Sequence, residues 1–221
     1  MSTIIKIAFH LPTKKLIHID NASNGLACNC ECLKCNERLE AVQGEVRTKH
    51  FRHHVNLNCE GSRESALHEL GKQILVDNYE ISIPKHDIII YSNPIAEKRL
   101  ENKKPDVSAI YDGQPIFFEI YVSHAVDIDK AKFFIEKKYR SIEIDLSDCF
   151  TSSFIEIKKF VLEEVGNKKI FYWEDEKLIE TKKLDLKQTH KNWIGLLIGS
   201  VLALFLFCRL MVFSSKKRKW L

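Results

Sequence analysis

The sequence carries no strong charge of either sign, no internal repeat and no low-complexity tract. Its 34 lysines and arginines are spread among 30 acidic residues, which leaves a net charge of +4. This balance permits nucleic-acid binding but does not by itself predict it. A recognisable secretory signal is also absent, because the apolar stretches of residues 1–12 are short and are interrupted by Lys6, His10 and Pro12. Repeat architectures and secreted proteins are therefore not expected.

Cysteine, in contrast, is abundant and clustered. Five of the seven cysteines lie between residues 28 and 59, beside three histidines. Because no signal directs the chain to an oxidising compartment, we expect these residues to bind a metal ion rather than to form disulfides. The 45% apolar content is sufficient for one medium-sized domain with a core, plus an accessory element.

The spacing of the cluster is typical of a zinc site. Cys32 and Cys35 have the C-x2-C spacing that lets two thiolates in a tight turn reach one tetrahedral ion. Further candidates lie 15 to 24 residues downstream of Cys35, namely His50, His53, His54 and Cys59. The favoured set is Cys32, Cys35, Cys59 and one histidine, with His53 ahead of His50. Cys28 and Cys30 remain as neighbours or alternative ligands. Four protein ligands leave no open position, which indicates a structural ion.

Apolar periodicity predicts an α/β fold, a mixed sheet flanked by helices. The expected elements, in order, are a hairpin at 4–9 and 15–19, a helix at 63–78, strands at 81–83 and 88–91, a charged loop at 97–104, two strands joined by a turn, a helix at about 127–139, a strand at 142–146, a helix at 154–165 and a hairpin at 170–181. The packing face of the helix at 127–139 is expected to consist of Ile128, Ala131, Ile135 and Tyr139.

The predicted boundaries follow these elements. The expected parts are a hairpin and zinc-binding element at 1–62, an α/β domain at 63–168, a hairpin or linker at 169–192, a transmembrane helix at 193–213 and a basic tail at 214–221.

The most informative stretch runs from Lys104 to Ser147. Asp106 begins one apolar strand and Glu119 lies inside the next, with Asp112-Gly113 as the turn between them. An acidic residue inside a buried strand is costly unless a cation or hydrogen-bond donors meet it. Two carboxylates on adjacent strands are suited to holding Mg²⁺ against a phosphodiester. The alternative is a hairpin with one acid at its mouth and the other on a solvated face.

These residues also carry a resemblance. The pattern P-D-x12-E-x-Y resembles the core of the PD-(D/E)XK nuclease superfamily. EIYVSH, the lysine-rich helix after it and IEIDLS are similar to CoiA-like competence proteins, in which a Cys/His zinc element precedes a nuclease-like fold. The likeness covers roughly residues 1–150. It departs at Tyr121, where the superfamily usually has lysine and the CoiA-like branch often has glutamine.

The resemblance implies a set of site residues. Asp106 and Glu119 would hold catalytic Mg²⁺ or Mn²⁺ with a backbone carbonyl near Ile120, and Glu64 is a third acidic candidate. His68, one turn after Glu64, would share its helix face; both could instead lie on a solvated face. Three residues could replace the missing lysine beside Tyr121, namely Lys130, Lys132 and His124. A basic patch that could contact phosphates is formed by Arg99, Lys103 and Lys104, unless this loop is simply solvated.

Residues 193–213 are predicted to cross a membrane. This segment has 21 residues with a single charge, Arg209, near one end, and about 20 apolar helical residues span the hydrocarbon core of a bilayer. Basic residues flank it on both sides, so the positive-inside rule does not set its orientation. The reduced cysteines favour a cytosolic N-terminal domain, which predicts a single-pass protein of the bacterial inner membrane.

The sequence thus predicts a membrane-anchored, metal-dependent DNA nuclease in DNA uptake, processing or defence. The alternative is a catalytically inactive, membrane-tethered nucleic-acid-binding or adaptor protein. A third hypothesis, a zinc-dependent membrane sensor without nucleic acid, rests on the zinc site and the anchor alone.

Overall fold

The computed structural model describes residues 4–46, 48–55, 59, 63–123 and 126–174. These residues belong to one compact unit up to Trp173. The first layer is an antiparallel five-stranded sheet in the order β2-β1-β3-β4-β5. Its strands are β1 (Ile7–His10), β2 (Lys15–His18), β3 (Gly25–Glu31), β4 (Arg38–Val42) and β5 (His50–His53). The predicted first hairpin is confirmed, and the cysteine segment supplies three further strands.

The second layer is the mixed α/β sheet, in the order β12-β11-β10-β9-β8. Its strands are β8 (Ser92–Ala96), β9 (Val107–Tyr111), β10 (Gln114–Tyr121), β11 (Arg140–Asp145) and β12 (Lys168–Tyr172). The helices are α1 (Arg63–Asp77), α2 (Ile128–Glu136) and α3 (Phe154–Leu162), and a separate small sheet pairs β6 (Glu80–Ser82) with β7 (Ile88–Ile90). Strands β10 and β11 run parallel and the other pairs antiparallel. The predicted mixed sheet flanked by helices is therefore confirmed.

Helix α1 lies between the two layers. Its Leu67 and Leu70 share one core with Ile7 of β1 and Ile120 of β10. The helix approaches the sheet closely at Gly71, where an added Cβ would lie 3.2 Å from a methyl carbon of Ile120. Because α1 is packed on two sides, it is held firmly, and the side chains that it carries have fixed positions relative to the strands.

The β9–β10 hairpin forms as the sequence predicts. Asp112 and Gly113 both have positive φ, 50° and 70°, as the type I′ turn of a two-residue hairpin requires. The resulting register pairs Phe118 with Val107, so Glu119 comes next along β10 opposite the position of Asp106. The turn chemistry alone therefore sets the proximity of the two acids.

The predicted packing face of α2 is wrong for its two isoleucines, although Tyr139 does pack on Phe117. Ile128 and Ile135 are exposed, at 69% and 48% of their surface. The buried residue is Phe134, whose ring stacks on that of Phe117 with 5.5 Å between the centroids. Because Phe117 points away from the α1 face of β10, α2 covers the opposite face of the sheet. The helix is thereby rotated so that Lys130, rather than the isoleucines, faces the strands.

Two strand assignments also differ from expectation. Residues 92–96 form β8, although Pro94 and two polar neighbours gave no strand pattern there. Residues 168–172 form β12 along β11, so the mixed sheet extends beyond residue 168; the rest of the expected hairpin lies outside the described residues. The predicted transmembrane helix at 193–213 and the basic tail at 214–221 also lie outside the described residues. Within the described part of the chain, no helix is long and apolar enough to span a membrane.

Candidate functional site

The first candidate site is a cysteine–histidine cluster at one edge of the N-terminal sheet. The turn between β3 and β4 carries Cys32 and Cys35, and the pairing of Leu39 with His53 brings the end of β5 beside that turn. Cys59 completes the group. One ligand atom from each of the four side chains lies within 4.8 Å of the others. The favoured set of the sequence analysis is the set that the fold brings together.

The contacts within the cluster are short. The Sγ of Cys35 lies 3.2 Å from Nε2 of His53, and the Sγ atoms of Cys32 and Cys59 are 4.0 Å apart. Burial and hydrogen bonding to the Cys59 and Cys32 thiols raise the pKa of Cys35 to about 11. Three thiols and an imidazole at these distances are a donor set able to hold a metal ion such as zinc, which would stabilise the thiolates.

The remaining candidate ligands lie outside the cluster. Cys28 and Cys30 are buried in the core of the N-terminal sheet, where their thiols donate to backbone carbonyls of Leu39 and Cys28. His50 contacts the carbonyl oxygen of Thr48 through Nδ1, at 2.8 Å. His54 is exposed. These residues therefore shape the element around the cluster and do not join it.

The second candidate site is the acid pair, Asp106 and Glu119. Oδ2 of Asp106 accepts hydrogen bonds from the Ile120 N–H at 2.8 Å and from Nε2 of His68 at 3.0 Å. Burial alone would raise the pKa of Asp106, but the two hydrogen bonds, with the nearby charges of His68 and Lys130, outweigh it and lower the pKa below its usual value. Asp106 is thus held as a carboxylate.

The pKa of Glu119 is shifted in the opposite direction to that of Asp106. Its side chain is only 3% exposed, and burial together with the charge of Asp106 raises its pKa to about 8, in spite of Lys130. Oε2 accepts a hydrogen bond from Nζ of Lys130 at 2.6 Å. Oε1 is buried and finds no hydrogen-bond donor among the described residues. Once the carboxyl group has lost its proton, this oxygen is available to a further cation.

Lys130 contacts Glu119 from the sheet face that α2 covers, which is opposite to the face packed against α1. It projects from α2, and its Nζ also donates to the carbonyl oxygen of Lys104 at 2.9 Å. Of the three residues considered as substitutes for the superfamily lysine, Lys130 makes this approach. Lys132 is exposed, and His124 lies outside the described residues. Tyr121 follows Glu119 on the same face of β10 and is partly exposed.

Helix α1 contributes His68 to the site. Glu64 was expected to join the acids, but its Oε1 instead accepts a hydrogen bond from the Ser123 hydroxyl just beyond β10. Among the described residues, only the cysteine–histidine cluster brings three or more ligand side chains within reach of one ion. The acid pair therefore offers two protein carboxylates, with Glu64 one helical turn away from His68.

Further charges surround the site that sequence reasoning did not find. Lys72, whose side chain is 3% exposed, contacts Glu69 at 2.5 Å and Glu97 at 2.6 Å. Glu97 also pairs with Lys104 at 2.5 Å, so Lys104 of the expected basic patch is already neutralised. Glu143 lies beside Glu119 on the parallel strand β11 and accepts a hydrogen bond from the Val126 N–H. The sequence pattern that pointed to Glu119, an acid inside an apolar strand, also occurs at Glu143 and could have identified it.

Comparison with known proteins identifies no relative: no protein-family model, no characterised protein and no solved structure matches the chain. What the chain does is therefore inferred from its own side chains.

Proposed function

We propose that this chain hydrolyses phosphodiester bonds of DNA with the help of Mg²⁺ or Mn²⁺ held by Asp106 and Glu119. The observation that carries the proposal is a group of three side chains: one ionised carboxylate, one buried carboxyl group whose second oxygen meets no partner in the described part of the chain, and an ammonium group 2.6 Å from that carboxyl group. Perturbed acids beside a fixed cation are typical of functional sites rather than of a packed core.

The two acids fit a divalent cation by their chemistry. Oε1 of Glu119 is a buried oxygen that finds no donor in the described part of the chain. The repulsion from Asp106, which helps to raise the pKa of Glu119, would be offset by a positive ion between the two groups. When bound, such an ion would polarise a phosphoryl oxygen and lower the pKa of a water molecule.

The other side chains then have separate tasks. Lys130 supplies the positive charge that Tyr121 lacks, and it stabilises negative charge as it develops on the phosphate. His68 and the Ile120 N–H hold Asp106 in a fixed orientation. The order helix, strands, helix, parallel strand agrees with the resemblance to PD-(D/E)XK nucleases and CoiA-like proteins.

Two further parts of the proposal lie outside this site. The ion of the cluster formed by Cys32, Cys35, His53 and Cys59 is zinc, and its role is structural. Residues 193–213 anchor the chain in the bacterial inner membrane, with the N-terminal domain in the cytoplasm; DNA uptake, processing or defence are the corresponding settings.

One observation favours a second function. The ammonium group of Lys130 already occupies one oxygen of Glu119 through a hydrogen bond, and the acid pair has no third protein ligand among the described residues. A site closed by this contact suits a membrane-tethered adaptor that binds nucleic acid without cutting it.

The two functions are separated by metal dependence. We expect the full-length wild-type chain to cut labelled DNA with Mg²⁺ and not when Mg²⁺ is omitted. Glu119→Gln should lower the rate on the order of a hundredfold or more, the scale of a lost electrostatic contact in the transition state. Lys158→Glu, on the exposed side of α3, is the matched control and should cut normally. Cleavage that persists in Glu119→Gln, or without Mg²⁺, would contradict the proposal.

A further inference from the structure

A groove lies on the mixed sheet, on strands that also position the acid pair. It has a volume of about 310 Å³ and lies over β8, β9 and β10. Its apolar lining includes Ile95, Ile110, Pro115 and Phe117. Phe117 precedes Glu119 by two residues on the same face of β10, so the lining and the acid are about 7 Å apart along the strand. This volume is at the lower end for small-molecule pockets.

Ser108 places a buried hydroxyl group in the groove. Ser108 pairs with Phe117 across the sheet and is only 9% exposed. Its Oγ is buried and finds no hydrogen-bond partner among the described residues. A buried hydroxyl group without a partner costs free energy, and this one lines the groove. Such an atom suits a ligand that brings its own donor or acceptor.

The rim of the groove is positively charged. Lys98 and Arg99 line it. The two glutamates of the same loop form salt bridges with other lysines. Glu97 pairs with Lys72 and Lys104, and Glu101 pairs with Lys137 at 2.9 Å. Within the described part of the chain, Lys98 and Arg99 are paired with no carboxylate. The positive charge left at the rim therefore complements phosphate groups.

We propose that this groove binds one unpaired nucleotide of the DNA substrate, with its base against Ser108 and its phosphates beside Lys98 and Arg99. The inference rests on the proposed function, because it makes single-stranded or frayed DNA the substrate class of the acid pair. A base inside a duplex is stacked and paired and would have to be extruded to enter such a groove. A nucleotide seated here would place an adjoining phosphate near Glu119.

Binding, not cleavage, tests the groove. The full-length Glu119→Gln chain is titrated into a fluorescent 12-nucleotide single strand and into the duplex of the same sequence, at several salt concentrations. Two variants are made in the Glu119→Gln background. The rim variant carries Lys98→Glu together with Arg99→Glu, and the other variant carries Ser108→Ala. The matched control adds Lys158→Glu with Lys159→Glu, an adjacent exposed pair on α3.

We expect the single strand to bind at least tenfold more tightly than the duplex. The rim variant should lose at least tenfold in affinity, and its salt slope should fall by about 1.4, since each single-strand phosphate contact contributes about 0.7. Ser108→Ala should lose about fivefold, the effect of one lost hydrogen bond. The control pair should bind as the Glu119→Gln chain does.

Equal binding of single strand and duplex would overturn the inference, as would a rim variant that binds like the control or a Ser108→Ala chain with unchanged affinity. The proposed function fails separately. If the wild-type chain never cuts DNA yet these affinities are found, the groove stands without the nuclease. If cleavage is found but these variants bind normally, the groove alone is wrong.

Discussion

Glu119 carries two oxygens with different surroundings, and the chemistry that we propose for the site depends on this asymmetry. Oε2 meets the ammonium group of Lys130, whereas Oε1 finds no donor among the described residues. A residue whose only purpose was to neutralise Lys130 would not need to be buried beside a second carboxylate. Burial next to Asp106 costs stability, and that cost is explained if the pair serves to hold a further cation.

The raised pKa of Glu119 makes stability depend on pH. The folded chain keeps the proton of Glu119 up to about pH 8, whereas the unfolded chain releases it near the ordinary value of 4.5. Since the folded state binds more protons in this window, the free energy of unfolding should fall as the pH rises from about 4.5 to 8. Urea denaturation at several pH values should show a flatter dependence for Glu119→Gln.

Wild type and Glu119→Gln are compared at each pH, so that the contributions of the other titrating groups to the pH dependence cancel. Addition of Mg²⁺ at pH 8 should restore stability to the wild-type chain and leave Glu119→Gln unchanged. Equal pH dependence in the two chains would show that Glu119 does not titrate in this window.

At the scale of elements, much of the fold follows from local sequence. The β9–β10 hairpin follows from alternating apolar residues and from Asp112-Gly113, which tolerate positive φ. Helix α3 has its capping box of Ser153 and Glu156. The C-x2-C spacing likewise predicted Cys32 and Cys35, because that turn is local, but it left the choice between His53 and His50 open.

What the sequence could not predict depends on contacts between elements. The face of α2 is chosen by Phe117, which stacks on Phe134 from a distant strand, and apolar spacing on the helix pointed to the wrong face. Lys72 is a buried charge that apolar periodicity does not reveal, because Glu69 and Glu97 meet it only in the folded chain. Glu64 and His68 share a helix face, yet only His68 reaches Asp106, since that choice depends on how far α1 lies from the strand ends.

The N-terminal element is expected to depend on its metal ion. An ion held by the four ligands of the cluster would contribute folding free energy, and removing the ion would remove that contribution. Cys32→Ser should lose the zinc and lower the melting temperature by about 10 °C or more. Cys28→Ser, which alters a core thiol outside the cluster, should keep about one zinc per chain. Elemental analysis and thermal unfolding of both variants measure this. Full zinc content in Cys32→Ser would contradict the assignment.

At the scale of the whole molecule, α1 connects the two sites. Its Leu67 packs in the core that also receives Ile7 of the N-terminal sheet, and its His68 holds Asp106. Cys59 of the cysteine–histidine cluster comes four residues before the first residue of α1. The cysteine–histidine element therefore supports the helix from which the acid pair is positioned, which accounts for the presence of both in one compact unit.

The central claim is that Lys130 supplies the charge that Tyr121 lacks, so that the acid pair is a catalytic site and not an adaptor surface. Single-turnover cleavage of a labelled DNA strand by the full-length chain, with Mg²⁺, tests this most directly. Lys130→Ala should slow cleavage on the order of a hundredfold or more, while Lys132→Ala, an exposed lysine on the same helix, should cleave as the wild type does. Both variants should keep their zinc content and DNA affinity, which shows that they are folded. An undiminished rate in Lys130→Ala, or no metal-dependent cleavage by the wild-type chain, would contradict the account.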